Sequence, residues 1–236
     1  ALSLFSRMMG SGAEVIAFEL LIGTCMDIVQ KNGIGVRIPL PLGSPWYVMV
    51  ELAAAHPSVP LREMLEDTLA AAAEAEEVLD ASIAENEAQR ANIWRIREDW
   101  PDCARRECPA INTDTSVPVS AVPEFCARVE AELSARWPEG RLFALGHAGD
   151  GNIHVSLGAP PGVERAEWNA RAGEAEAIVN AIAVELGGSF SAEHGIGQSK
   201  RHAMATHKDP VALDLMRAVK AAIDPRGVMN PGKMLP

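Results

Sequence analysis

Apolar residues crowd two short runs early in the chain, Val15 to Leu21 and Trp46 to Ala53, each of strand length. The second follows the turn-forming cluster Pro39, Pro41, Gly43, Ser44 and Pro45. After Pro57 to Pro60 the period changes. Leu61, Leu65, Leu69, Val78, Leu79 and Ile83 recur at near-helical spacing through an alanine-rich stretch, which predicts one long helix, or two in series, over 61–98, ended by Pro101. Ala110 to Val117 reads as a short strand, and Ser120 starts a helix with Pro123 accommodated in its first turn. Arg141 to Leu145 and Ile153 to Leu157 flank the turn signal Asp150-Gly151, predicting a hairpin. A helix over Glu164 to Leu186 stops at Gly187-Gly188, Ser189 to Ala192 reads as a strand, and helices near 196–206 and 210–222 precede a tail rich in Pro and Gly.

This order of elements predicts an α+β fold: a sheet with helices packed on one face and further helices at the C-terminus. A doubly wound dinucleotide fold is disfavoured, because no Gly-x-Gly-x-x-Gly opens a helix after an early strand; Gly146, Gly149 and Gly151 fall between two strands instead. At 236 residues and 48% hydrophobic content the chain can bury a substantial core. A net charge of -11 argues against nucleic acid or an anionic membrane as a general partner. Nine of the carboxylates lie between Glu63 and Glu87 with no Lys or Arg among them, the pattern of a solvated helix face. Cys25, Cys103, Cys108 and Cys126 are too few and too irregular for a disulfide scaffold; Cys103 and Cys108 could be half a metal site, but no second pair follows, so free thiols in a reducing compartment are expected. No run approaches the roughly 18 apolar residues of a membrane span, and Ala1 to Met9 lacks the apolar core of a signal peptide. With the high alanine content, the expectation is a bacterial cytoplasmic protein.

The candidate chemistry lies in GHAGDGNIH (146–154) and SAEHG (191–195). His147, His154 and Glu193 supply two imidazoles and a carboxylate, the ligand count of a divalent metal with an open position for chemistry. Any one of these histidines alone reads as a hydrogen-bonded turn residue; three candidates inside two glycine-flanked motifs favour a metal. On an extended backbone Glu193 and His194 would point to opposite faces, and only a bend, made cheap by Gly195, could bring both to one substrate. His194 is then a candidate general base, or a hydrogen-bond partner that orients a ligand. Asp150 and Asn152 read as turn residues. Arg97, Lys200 and Arg201 could hold a substrate carboxylate, although spacing alone does not select them.

GHAGDGNIH, GGSFSAEHGIGQSKR (187–201) and LMRAVKAAIDPRGVMNPGKMLP (215–236), taken in order, resemble the C-terminal portion of FAD-linked oxidases of the vanillyl-alcohol oxidase type. The resemblance is to the D-2-hydroxyacid dehydrogenase branch, which includes D-lactate and D-2-hydroxyglutarate dehydrogenases and the flavin subunit of glycolate oxidase, and it spans the chain from about Ile93 onward. It implies ferredoxin-like α+β units that close over a flavin held mainly by a separate N-terminal FAD-binding domain. Residues 1–236 would then be the substrate and metal portion, inactive alone, with that FAD domain as partner and a small 2-hydroxy acid as substrate. The resemblance further implies that His147, His154 and Glu193 bind a divalent metal, most often assigned as zinc. His194 would remove the hydroxyl proton as a hydride leaves C2 for FAD. Arg97, in IWRIRE (93–98), would grip the substrate carboxylate, and Asn230 would lie near the flavin.

Two positions depart from the pattern. Asn112 stands where the hydroxyglutarate branch has a lysine ahead of its Asp-x-Ser-x-Pro strand, which weakens the case for a second substrate carboxylate, and Pro101 replaces an expected small hydroxyl residue. Two other readings compete: a non-catalytic capping or interaction module of the same fold, and a flavin-free metal hydrolase using the same three ligands.

Overall fold

The computed structural model describes residues 1–236. The elements run α1 (Leu2–Gly10), β1 (Glu14–Ile22), α2 (Gly23–Asn32), β2 (Trp46–Ala53), α3 (Leu61–Glu74), α4 (Glu87–Glu98), α5 (Trp100–Glu107), β3 (Ala110–Asn112), β4 (Thr115–Ser116), α6 (Val122–Arg136), β5 (Arg141–His147), β6 (Asn152–Gly158), α7 (Arg165–Asn169), α8 (Ala172–Glu185), α9 (Arg201–His207) and α10 (Pro210–Ile223). The strands form one sheet in the order β2-β1-β5-β6-β3, with β4 also paired to β6 and every pairing antiparallel. The expected α+β class is met.

Because side chains alternate across a strand, the register assigns each residue to a face. Phe18, Leu20, Ile153, Val155 and Leu157 point into the larger core, where α1, α6, α7 and α8 cover them with Met8, Phe125, Val129, Leu133, Trp168 and Val179. Leu21, Tyr47, Phe143 and Leu145 point the other way, into a second core with Cys25, Ile28 and Val29 of α2, Ile96 of α4 and Trp100 of α5. Trp100 meets Phe143 edge-on at 5.5 Å. Helices therefore lie on both faces, one layer more than the sequence pattern indicated. The added layer was hidden because α2 follows β1 directly, with Ile22 at its N-cap and no side-chain cap to mark its start. On this second face the positions Glu19, His147 and His154 form a polar strip beside the apolar residues.

The hairpin of β5 and β6 forms as the turn signal predicts, with Leu145 opposite His154. Its turn is closed by a 3-10 segment at Ala148–Asp150 and by Gly151 at φ 72. A Cβ on Gly151 would sit 1.9 Å from the Val117 carbonyl oxygen, so a side chain is excluded by both backbone conformation and space.

The 61–98 region takes the two-helix form of the expectation, parted at 75–86, and Asn86 caps the second helix by accepting from Gln89 N at 3.0 Å. Several boundaries differ from expectation. Pro101 does not simply end that region; it occupies the first turn of α5, where the missing N–H costs nothing. The 164–186 helix is split into α7 and α8, and α9 begins only at Arg201, after Gly195 and Gly197 take φ 73 and φ 53. The 110–117 strand divides into β3 and β4. Ser189 to Ala192 makes a single bridge, Ser116 with Ser189, rather than a strand. The physical reason is a tertiary contact: the Asp114 carboxylate takes the backbone N–H groups of Ala192, Glu193 and His194, which a ladder would otherwise use. No helix is long and apolar enough to cross a membrane.

The α2–α5–β5 corner is held by Glu107. Its carboxylate accepts from Lys31 Nζ at 3.1 Å, Asn32 Nδ2 at 2.9 Å and Arg141 at 2.7 Å. The Lys31 and Arg141 hydrogen bonds, opposed by burial, hold its acid well below the usual carboxylate range, at about 2. A depressed folded-state value stabilises the fold above the unfolded-state pKa and ceases to do so as pH falls through the folded value. Since Lys31 is 66% exposed and screened, Glu107→Gln should cost about 1–2 kcal/mol at pH 7. Urea melts of both proteins should show that difference shrinking steadily between pH 5 and pH 2.

Candidate metal and substrate site

Two carboxylates with only 2% exposure, Glu19 on β1 and Asp114 between β3 and β4, organise the site from opposite sides. A buried carboxylate persists only if it is well partnered. Glu19 pairs in register with His147, whose Nδ1 lies 2.6 Å from Glu19 Oε1, while Arg97 Nε donates to Glu19 Oε2 at 3.0 Å. That bond makes Nδ1 the protonated nitrogen and leaves the Nε2 lone pair free to face outward.

Asp114 accepts from the backbone of Ala192 (3.1 Å), Glu193 (3.4 Å) and His194 (2.9 Å), and from Lys200 Nζ at 3.2 Å. Burial pushes its acid upward, but the His194 N–H and the Lys200 charge outweigh it and hold it below the ordinary value. Lys200 also donates to the Asp114 carbonyl and to Ser191 Oγ, at 3.1 and 3.0 Å. The loop is thereby wound around one anion, and this is the bend that lets Glu193 and His194 face the same space.

Three imidazoles converge on the Glu193 carboxylate: His147 Nε2 at 3.7 Å, His154 Nε2 at 3.2 Å and His194 Nε2 at 3.6 Å. Each has its Nδ1 toward a buried carboxylate, hydrogen-bonded for His147 and at 3.7 and 3.8 Å from Asp114 for His154 and His194. His154 and His194 stack at 5.4 Å. Burial, partly offset by Glu193, lowers the His154 pKa, which favours the neutral imidazole a cation requires. His154 Nδ1 and Asn152 Oδ1 are buried without a hydrogen-bond partner.

The most compact set of ligand atoms is Asp114, His154, Glu193 and His194, all within 4.8 Å of one another. It shares His154 and Glu193 with the set expected from sequence but contains Asp114 and His194 in place of His147. Asp114 is a poor ligand here, since its lone pairs are already committed to three N–H groups and an ammonium. His147 could serve as third ligand better than Asp114, because Glu19 holds its ring with Nε2 toward Glu193, the arrangement in which an outer carboxylate orients a ligating histidine.

A family model for FAD linked oxidases, C-terminal domain, matches residues 1–234. The chain belongs to that family. Among similar proteins are the D-2-hydroxyglutarate dehydrogenase of Stutzerimonas stutzeri (strain A1501), 31% identical over 224 residues that cover 94% of this chain and 47% of that protein. The mitochondrial D-2-hydroxyglutarate dehydrogenase of Rattus norvegicus is 32% identical over 240 residues, covering 100% of this chain and 42% of that protein. The chain thus spans less than half the length of these relatives.

Within this FAD-linked oxidase domain the other expected site residues take separate places. Arg97 is 15% exposed and stands beside the histidines through Glu19, and no hydrogen bond within the chain engages its terminal nitrogens. Lys200 is in the site but bound to Asp114. Arg201 donates from Nε to the Leu235 carbonyl at 2.7 Å and so tethers the tail. Asn230 lies on that exposed tail with φ 47. Two organising residues were not singled out from sequence, Glu19 and Asp114. The available signal was a carboxylate within an apolar or β-forming run, Val15 to Leu21 for one and Ala110 to Val117 for the other.

Proposed function

We propose that this domain is the substrate- and metal-binding portion of a flavin-dependent D-2-hydroxyacid dehydrogenase, acting with an FAD-binding portion outside these residues. The observation that carries the reading is the convergence of His147 Nε2 and His154 Nε2 on the Glu193 carboxylate. Those three side chains would hold a divalent cation, for which zinc fits the mixed imidazole and carboxylate donors. Such a cation supplies a Lewis acid that lowers the pKa of the substrate hydroxyl. Arg97 offers its free terminal nitrogens to the substrate carboxylate. His194, the most exposed of the three imidazoles, takes the hydroxyl proton. FAD, held by the portion outside these residues, would supply the hydride acceptor at C2 for oxidation of a 2-hydroxy acid to a 2-oxo acid.

Elemental analysis of the purified protein, after equilibration with zinc and desalting, should find about one equivalent of metal per chain. His154→Ala should lower metal affinity by more than the 10–100-fold, in order of magnitude, that loss of an outer hydrogen-bond partner costs. Protein that retains no metal, or His154→Ala that retains as much as the parent, would remove the basis of this reading.

A further inference from the structure

Arg97 also lines a cleft of about 460 Å³ that contains none of the cation ligands proposed above. The sheet register places that cleft next to the site. On the second face Glu19 lies between His147 on β5 and Met49 on β2, and in the neighbouring row Leu21 lies between Leu145 and Tyr47. Adjacent strands are about 4.8 Å apart, so the step from His147 to Met49 is two strand spacings with Arg97 over the middle one. The floor is Leu21, Tyr47 and Met49, and α4 supplies Ile93, Trp94 and Ile96 as a wall. Its size and apolar character suit a small organic ligand.

The charges around this cleft are paired. Arg62 pairs with Glu66 at 2.8 Å, and Arg90 pairs with Glu51 at 2.6 Å and with Glu87 at 3.5 Å. Glu51 also accepts from Trp94 Nε1 at 2.5 Å. On the other side of the histidines, Ser156 Oγ donates to Asn112 Oδ1 at 2.7 Å, a neutral pair that satisfies itself. In the apolar cleft an anionic side chain would lose water without gaining any unpaired cation beyond Arg97, which the substrate carboxylate engages, whereas an apolar one would be welcome there.

We propose that the substrate is a 2-hydroxy monocarboxylic acid with an extended apolar side chain, its carboxylate on Arg97 and its tail over β1 and β2. This inference rests on the 2-hydroxyacid dehydrogenase reading above and narrows it to a class different from the dicarboxylate in the relatives' names.

The test uses the full-length protein with its flavin and compares D-lactate, D-2-hydroxyhexanoate and D-2-hydroxyglutarate by kcat/KM for flavin reduction and by calorimetric affinity under conditions that exclude an electron acceptor. The hexanoate should exceed lactate by about fourfold per added methylene, the worth of burying one CH2. It should exceed 2-hydroxyglutarate by at least about tenfold, the cost of an unpaired buried charge being larger still. Ala84→Trp, at the cleft and outside the proposed machinery, should cut the hexanoate-to-lactate ratio by about tenfold with lactate turnover and melting temperature unchanged. Preference for 2-hydroxyglutarate, or a chain-length dependence untouched in a folded Ala84→Trp protein, overturns the apolar-tail assignment alone. If no 2-hydroxy acid reduces the flavin, the dehydrogenase reading falls and this inference falls with it.

Discussion

Asp114→Ala is expected to be the most damaging single substitution in the site, lowering stability by about 3–5 kcal/mol, the usual cost of stripping one partner from a buried ion pair. The alanine would leave Lys200, 19% exposed, facing an apolar methyl, and would orphan the N–H groups of Ala192, Glu193 and His194 together. A domain of this size has about 5–15 kcal/mol in total, so the variant should remain folded but with a much earlier denaturation midpoint. Metal affinity should fall as well, because Glu193 is carried on the loop that Asp114 winds. Asp114→Asn keeps an acceptor oxygen but not the charge that answers Lys200, and should lie between the two. Urea denaturation with zinc titration of all three proteins decides the matter. If Asp114→Ala melted within about 1 kcal/mol of the parent, the carboxylate would not be what holds this loop.

What the sequence could convey depended on whether the cause was local. The β5–β6 hairpin was legible because Gly151 must adopt a positive φ and the flanking runs alternate, so turn and strands are specified within eighteen residues of Arg141 to Gly158. Helix α6 was legible from its start signal at Ser120 and Pro123 in its first turn. By contrast, Ser189 to Ala192 has the composition of a strand, and it leaves the sheet because a carboxylate 78 residues away in sequence captures the N–H groups of Ala192 and of the two residues that follow it. No local pattern records that competition. The same holds for the charged partners of the site. Motif chemistry pointed to His147, His154, Glu193 and His194, all inside glycine-rich segments, but Glu19 and Asp114 lie in strand-like runs, where a single acid looks like a solvent-facing residue until the register shows which face is covered. Lys200 illustrates the converse: its position beside SAEHG suggested a substrate contact, and its actual bonds are to Asp114 and Ser191.

His194→Ala in the full-length protein is expected to separate proton transfer from cation binding. Removing a positioned general base costs about 10²–10⁴ in turnover, so the variant should be nearly inactive. Metal content should stay at the parent level if His147, His154 and Glu193 suffice as ligands. The geometry gives this prediction its edge, because His194 Nε2 is 3.6 Å from the Glu193 carboxylate, no farther than His147 Nε2 at 3.7 Å, and His194 belongs to the most compact group of donors. Distance alone therefore does not assign the roles. Environment does: His147 has its Nδ1 hydrogen-bonded by Glu19 at 2.6 Å, while His194 is 61% exposed and is hydrogen-bonded only through its backbone N–H, its ring Nδ1 standing 3.8 Å from Asp114. A ligand benefits from a fixed ring, whereas a base must reach a substrate that arrives from solvent and must release its proton afterwards. Loss of metal in step with activity, in a variant that melts like the parent, would make His194 a ligand and return the search for the base to the other side of the site.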